Sequence, residues 1–136
     1  MPRGVSPKIS WLVLPYERLR AWHACDALVV AVYQASEGFP RRELYGLTSQ
    51  VRRAAYSAAA NIAEGSAKRG RREFRRYLDI SLGSLAEVSY TLQLCRKLGI
   101  LSDDQWTELD RLRIHANRLT WRLYENIRGK ASTVGT

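Results

Sequence analysis

Four stretches of the chain set apolar residues in alternating steps of three and four, the period that gathers them on one face of a helix. The first runs over about 19–36, with Trp22, Cys25, Val29 and Val32 as its inward set. The second runs over about 48–64, with Leu47, Val51, Ala54, Ala58 and Ile62 inward. The third, about 71–98, has the most regular pattern: Phe74, Leu78, Ser81, Leu85, Val88, Leu92 and Cys95 follow an unbroken 4-3-4-3-4-3 series. The fourth, about 103–128, turns Leu109, Leu112, Ala116, Leu119, Leu123 and Ile127 inward. No segment shows the strict alternation of a half-buried strand.

The punctuation between these stretches agrees with them. Gly38 and Pro40 stop the first helix. Gly65 and Gly99 stand where a left-handed residue after a helix is wanted. Ser102 with Gln105 forms a capping box, and Asp103 and Asp104 lie at the positive helix end. Gly129 is read as the end of the fourth helix. Mostly short connections then predict an all-α, antiparallel up-down four-helix bundle. The longest link, 40–45, has room for one helical turn.

The expected organisation is an irregular leader 1–15, a bundle 16–128 and a disordered tail 129–136. Pro2, Pro7 and Pro15 break up the leader, and Trp11 is available to dock it on the bundle. Its apolar run, 9–14, is too short for a secretory signal core. No stretch reaches the roughly 20 apolar residues that span a bilayer. A cytoplasmic protein with no membrane partner is therefore expected. Cys25 and Cys95 fall on apolar helical faces and are expected as reduced core thiols. Sequence alone leaves a disulfide between them open.

Two helices carry more apolar surface than one core face uses. On the first, Ala24, Ala27, Ala31 and Ala35 form a stripe opposite Trp22 and Val29. On the second, Tyr56, Ala59 and Ala60 lie away from Ala58 and Ile62, and on the fourth Ile114 and Trp121 lie off the leucine seam. Alanine on a solvated face is one reading of such a stripe. The other is a subunit interface through Ala24, Ala27, Ala31, Ala35, Tyr56, Ala60 and Trp121. The second helix also lines up Gln50, Ser57, Asn61 and Glu64, bordered by Arg53. At helical pitch these fall within roughly 60° of one another. They make either an interhelical hydrogen-bond ladder or a polar pocket facing a ligand or a neighbouring subunit.

Charge sharpens the picture because it has an address. Residues 41–76 hold ten Lys/Arg against three acids, +7 of the chain's +9. A solvated face is the bland reading of such a run. A localised positive surface also points to a polyanion. Eighteen of the 22 basic residues are arginine, the side chain that grips phosphate with two hydrogen bonds. The candidate contacts are Arg52, Arg53, Lys68, Arg69, Arg71, Arg72, Arg75 and Arg76. No aromatic platform accompanies them in the sequence, so nucleic-acid binding is expected to be driven by shape and charge.

The run from Phe39 to Gly65 resembles the four-helix-bundle family encoded in intervening sequences of bacterial 23S rRNA genes. The residues that carry the likeness are Phe39, Pro40, Glu43, Tyr45, Gly46, Leu47, Thr48, Gln50, Arg52, Arg53, Ala54, Ser57, Asn61, Ile62, Ala63, Glu64 and Gly65, followed in the third helix by Glu73, Phe74, Arg76, Leu78, Gly83, Ser84 and Glu87. The likeness covers about 16–128. Ala59 departs from it, because the family often has proline there, and a straighter second helix is the consequence. The chain is also similar to the accessory variability determinant of diversity-generating retroelements, which works beside a reverse transcriptase. These resemblances imply a non-enzymatic bundle that assembles as a ring of five and binds RNA or DNA. They leave open an adaptor role on a reverse transcriptase and its template RNA.

Catalytic chemistry is sparse. His23 and His115 are far apart and no C-x-x-C occurs, so no metal site or cofactor is expected. The segment 65–70 has glycines at phosphate-loop spacing, but Arg71 and Arg72 follow it instead of Lys-Ser/Thr, and it joins two helices. Gly83-Ser84 lacks a nucleophile elbow. The enzymatic alternative is an HEPN-like ribonuclease using an Arg-x4-6-His pair. Arg18 with His23 meets that spacing, and Arg111 with His115 nearly does.

Overall fold

The structure, a computed structural model, describes residues 14–135, with side chains through 127. Four helices, α1 (Arg20–Ser36), α2 (Leu47–Ser66), α3 (Arg71–Lys97) and α4 (Asp103–Gly135), follow one another with no strand among the described residues. Each packs on its neighbours around a square: α1 on α2 and α4, α3 on α2 and α4. This is the expected up-down bundle. A 3-10 turn (Arg41–Glu43) occupies the long link. The next helix begins where the Glu43 carboxylate accepts from the Leu47 N–H at 3.0 Å.

The core forms where the period predicted it. Leu78, Ser81, Leu85, Val88, Leu92 and Cys95 of α3 are fully or almost fully buried, against Val51, Ala58 and Ile62 of α2 and Leu109, Ala116 and Thr120 of α4. The capping box at Ser102 and Gln105 closes with bonds of 3.1 and 2.9 Å. Gly99 takes the left-handed conformation expected of it, at φ 75°. Cys25 and Cys95 are buried free thiols, and burial pushes both up to about 11.

Three expectations are corrected. The inward face of α1 is rotated from the predicted one: Ala21, Ala24, Cys25, Leu28 and Val32 are buried, whereas Trp22 and Val29 are half-buried at its edge. Large apolar residues dominated the sequence pattern. In the bundle, Ala21 and Ala24 share the buried face with Cys25, Leu28 and Val32. Helix α4 passes through Gly129 and runs to Gly135. One glycine costs a helix only about 1 kcal/mol, and no proline follows to stop it. Of the expected leader, 1–13 lies outside the described residues, with the docking of Trp11. Its last two residues lead into a 3-10 turn (Pro15–Arg18).

The third correction concerns Gly65. It is not a helix terminator; it is buried inside α2. A methyl group there would lie 2.6 Å from Cβ of Tyr77 and 3.1 Å from Phe74. Glycine is needed at that position for close approach. Beyond it, Ser81 Oγ donates to the Ala58 carbonyl at 2.7 Å, and the Ser57 and Ser84 hydroxyls share a 2.7 Å bond. Small residues and buried hydroxyls thus draw α2 against α3 along the hairpin.

Gly65→Ala therefore discriminates two accounts. Helix propensity alone makes alanine better by about 1 kcal/mol. Overpacking costs about 1–3 kcal/mol and is expected to win. Urea denaturation should show a lower midpoint at unchanged slope; a raised midpoint would contradict the close approach.

Candidate nucleic-acid interface

The basic run divides between the two ends of the bundle. Arg41, Arg42, Arg52 and Arg53 lie at the start of α2, and Lys68 to Arg76 lie beyond its far end. The helix from Arg53 to the end of α2 at Ser66 spans roughly 20 Å at helical rise. Charge contiguous in sequence is therefore not one patch in space.

At the first end, Arg52 is a structural residue. Its Nε donates to Ser36 Oγ at 2.7 Å, its Nη2 donates to the Tyr33 carbonyl at 3.3 Å, and its guanidinium lies 4.6 Å from the Tyr33 ring centre. Arg53 is exposed and donates to Gln50 Oε1 at 2.6 Å. Gln50 in turn donates to Glu87 Oε2 at 3.3 Å. Asn61 donates to the Ser57 carbonyl and hydroxyl at 2.8 and 3.0 Å. Gln50 and Ser57 thus bond across to α3, through Glu87 and Ser84, and Asn61 joins them through Ser57 within α2. Glu64 is exposed and stands outside this group, on the rim of an apolar groove.

The second end is the basic one. The turn between α2 and α3 exposes Lys68 and Arg69, and Gly70 at φ 86° leads into α3. Arg71 and Arg72 then occupy the first two helical positions. Arg69, Arg71 and Arg72 are exposed and make no ion pair or hydrogen bond among the described residues. No side chain caps this terminus, and Glu73 is the one acid of its first turn. Cations at a helix N-terminus are unfavourable by about 0.3–1 kcal/mol each. An anion there meets unpaired N–H groups, the dipole and the guanidinium groups together.

The remaining cations are held by aromatic rings. Lys68 Nζ lies 5.5 Å and the Arg76 guanidinium 4.7 Å from the centre of Tyr77. Arg76 also pairs with Glu73 at 3.3 Å, and that hydrogen bond raises its already high pKa. Arg75 is half-buried, 5.2 Å from the Tyr124 ring centre, with Nη2 donating to the Tyr124 hydroxyl at 3.3 Å. Arg75 Nε is buried without a partner. Tyr124 stacks on Trp121 at 5.5 Å and 24° between planes. An open cleft of about 580 Å³ lies here, lined by Arg72, Glu73, Arg75, Arg76, Asp79 and Tyr124.

The expectation that no aromatic platform accompanies the arginines is thus overturned. Tyr77 follows Arg76 directly in sequence and was open to notice. Tyr124 and Trp121 come from α4, nearly fifty residues away, and only the antiparallel pairing of α3 with α4 brings them beside the cations.

The proposed interface residues also sort themselves. Ala24 is buried within the bundle, Ala31 and Ala35 are half-buried against its core, and Ala27 is exposed. Tyr56, 63 % exposed, and Ala60 line the apolar groove with Trp22, Val29, Ala63 and the 3-10 turn at Pro15, a volume of about 530 Å³. Trp121 lies at the other site, by the basic cleft.

His23 Nε2 donates to the Glu17 carbonyl at 2.8 Å, so its ring is engaged in holding that turn to α1. No group of three His, Cys, Asp or Glu suited to a metal ion exists among the described residues. Nor is any of their helices long and apolar enough to cross a membrane.

The model of the family described as 23S rRNA-intervening sequence protein matches residues 17–121. A crystal structure of a protein of unknown function from the S23 ribosomal protein family of Bacteroides thetaiotaomicron is similar in fold. It shares 20% identity at a TM-score of 0.69, over 76% of this chain and 97% of that one. No curated protein shows a significant match.

Proposed function

The chain belongs to the 23S rRNA-intervening sequence protein family, and from that premise we propose that it is a cytoplasmic, self-associating binding protein that grips RNA or DNA by the phosphate backbone. The observation that carries this reading is the first turn of α3. Arg71 and Arg72 stand exposed and unpaired at the positive end of a helix, beside Arg69 and Lys68. Two cations on an uncapped helix start, with two more in the turn before it, are costly to the isolated protein and favourable once phosphates arrive. The ring of His23, the histidine of the candidate ribonuclease pair, is engaged on the Glu17 carbonyl, which favours binding over that reading.

Self-association is proposed through the groove between α1 and α2. Exposed Tyr56 with Ala59, Ala60 and Ala63 offers a second copy an apolar surface of small residues. The family resemblance implies five copies, and a ring would present the basic turn several times to one strand. Light scattering at micromolar concentration should give a multiple of the 15.5 kDa chain. A monomer mass would sink this part of the reading.

The phosphate contacts are tested on the exposed cations. Arg75 is left unchanged because its packing on Tyr124 is structural. With Lys68, Arg69, Arg71 and Arg72 all changed to Gln, affinity should fall about equally for unrelated RNA and DNA sequences. The dependence of affinity on salt should flatten by about 0.7–0.9 logarithmic units for each phosphate no longer neutralised. Glutamine is nearly as good a helix former as arginine, so helical content should hold. A folded variant with unaltered affinity and salt slope would reduce the patch to a solvated surface.

A further inference from the structure

We propose that the basic end selects single-stranded nucleic acid, stacking one unpaired base on the exposed surface of Trp121. This rests on the nucleic-acid reading above and deepens it. The geometry is a row of three flat groups running across the α3–α4 seam. The Arg75 guanidinium covers Tyr124 at 5.2 Å, and Tyr124 stacks on Trp121 at 5.5 Å with planes 24° apart. Trp121 ends the row with 47 % of its surface exposed. A half-exposed indole next to Tyr124 offers aromatic surface to a ligand, and every base can stack on such a surface.

The row is pre-organised. Arg75 is half-buried, with one nitrogen on the Tyr124 hydroxyl at 3.3 Å. That bond fixes the phenol ring, which in turn backs the indole. Arg75 is therefore a positioning residue. The charge that meets phosphate is the unpaired Arg72, on the wall of the 580 Å³ cleft beside Tyr124, with Arg76 next to it on Glu73 and Tyr77. Beside Trp121, Arg122, Glu125 and Asn126 line a second open hollow. A strand crossing the seam would have cations near the ring on which its base stacks.

The same cleft disfavours a duplex. Glu73 and Asp79 share its wall with the arginines. Double-stranded DNA presents one charge per about 1.7 Å of axis, and two carboxylates interrupt the positive surface such a ribbon would need. The bases of a duplex are stacked on each other and leave no face for Trp121. A single strand can turn its phosphates toward Arg72 and its base toward the indole.

The test uses the full chain with a mixed-sequence single-stranded RNA of about 12 nucleotides, within the span of known single-strand sites, and with the duplex of the same sequence. The wild type should bind the single strand more tightly than the duplex. Trp121→Ala should weaken single-strand binding by roughly 5- to 150-fold, the range of one base–aromatic stack, with duplex affinity, salt slope and light-scattering mass unchanged. Trp121→Phe should retain most of the binding. Equal losses for single strand and duplex, or a changed oligomer mass, would overturn the proposal and return Trp121 to an interface between copies. If Trp121→Ala changes nothing while the four-glutamine variant still loses affinity, stacking is wrong and the phosphate reading stands. If the four-glutamine variant also binds like the wild type, it is the phosphate reading that fails.

Discussion

The close approach of α2 and α3 is the constraint on which the rest of the molecule depends. At Gly65 there is no room for a methyl group against Tyr77, and along the seam Ser81 and Ser84 reach α2 through bonds of 2.7 Å. Helices at ordinary separation could not make these hydroxyl contacts, and the buried serines would lose partners worth about 1–3 kcal/mol each. The tight hairpin has a direct consequence at its end. The connecting turn is only a few residues long, so Lys68, Arg69, Arg71 and Arg72 are crowded onto one small surface. The feature that joins the helices also concentrates the charge.

Concentrated charge needs support, and aromatic rings supply it. Tyr77 lies near both Lys68 and Arg76, Tyr124 carries Arg75, and Glu73 neutralises part of Arg76. Arg69, Arg71 and Arg72 are left without such partners among the described residues. At the opposite end the arginines are treated differently. Arg52 is spent on Ser36 and Tyr33, tying α2 to the end of α1. Arginine in the same run of sequence thus becomes a strut at Arg52 and an open surface at Arg69, Arg71 and Arg72.

The sequence was most legible where one force dominated. The 4-3 series in α3 located its buried face because burial of leucine and valine, about 1.5–3 kcal/mol each, outweighs other preferences. The caps at Ser102 and Gly99 were legible because their chemistry is local. Legibility failed where the deciding partner lies on another helix. Gly65 has the look of a terminator until Tyr77 is set against it, and Ala24 the look of an outer stripe until the helices close. The polar stripe of Gln50, Ser57 and Asn61 was readable as a group, but its partners Ser84 and Glu87 were not. The aromatic row of Arg75, Tyr124 and Trp121 had no local signal at all, since it exists only through the α3–α4 pairing.

The central claim is that nucleic acid meets the protein at the α2–α3 turn and the α4 seam beside it. Photo-crosslinking to single-stranded RNA carrying 4-thiouridine, read out by peptide mass spectrometry, tests it most directly. The protein carries its own controls, because Tyr33 and Tyr45 are exposed at the opposite end and Tyr56 in the apolar groove. Crosslinks confined to peptides holding Tyr77, Trp121 or Tyr124 are the predicted result. Crosslinks concentrated at Tyr33, Tyr45 or Tyr56 would contradict the account.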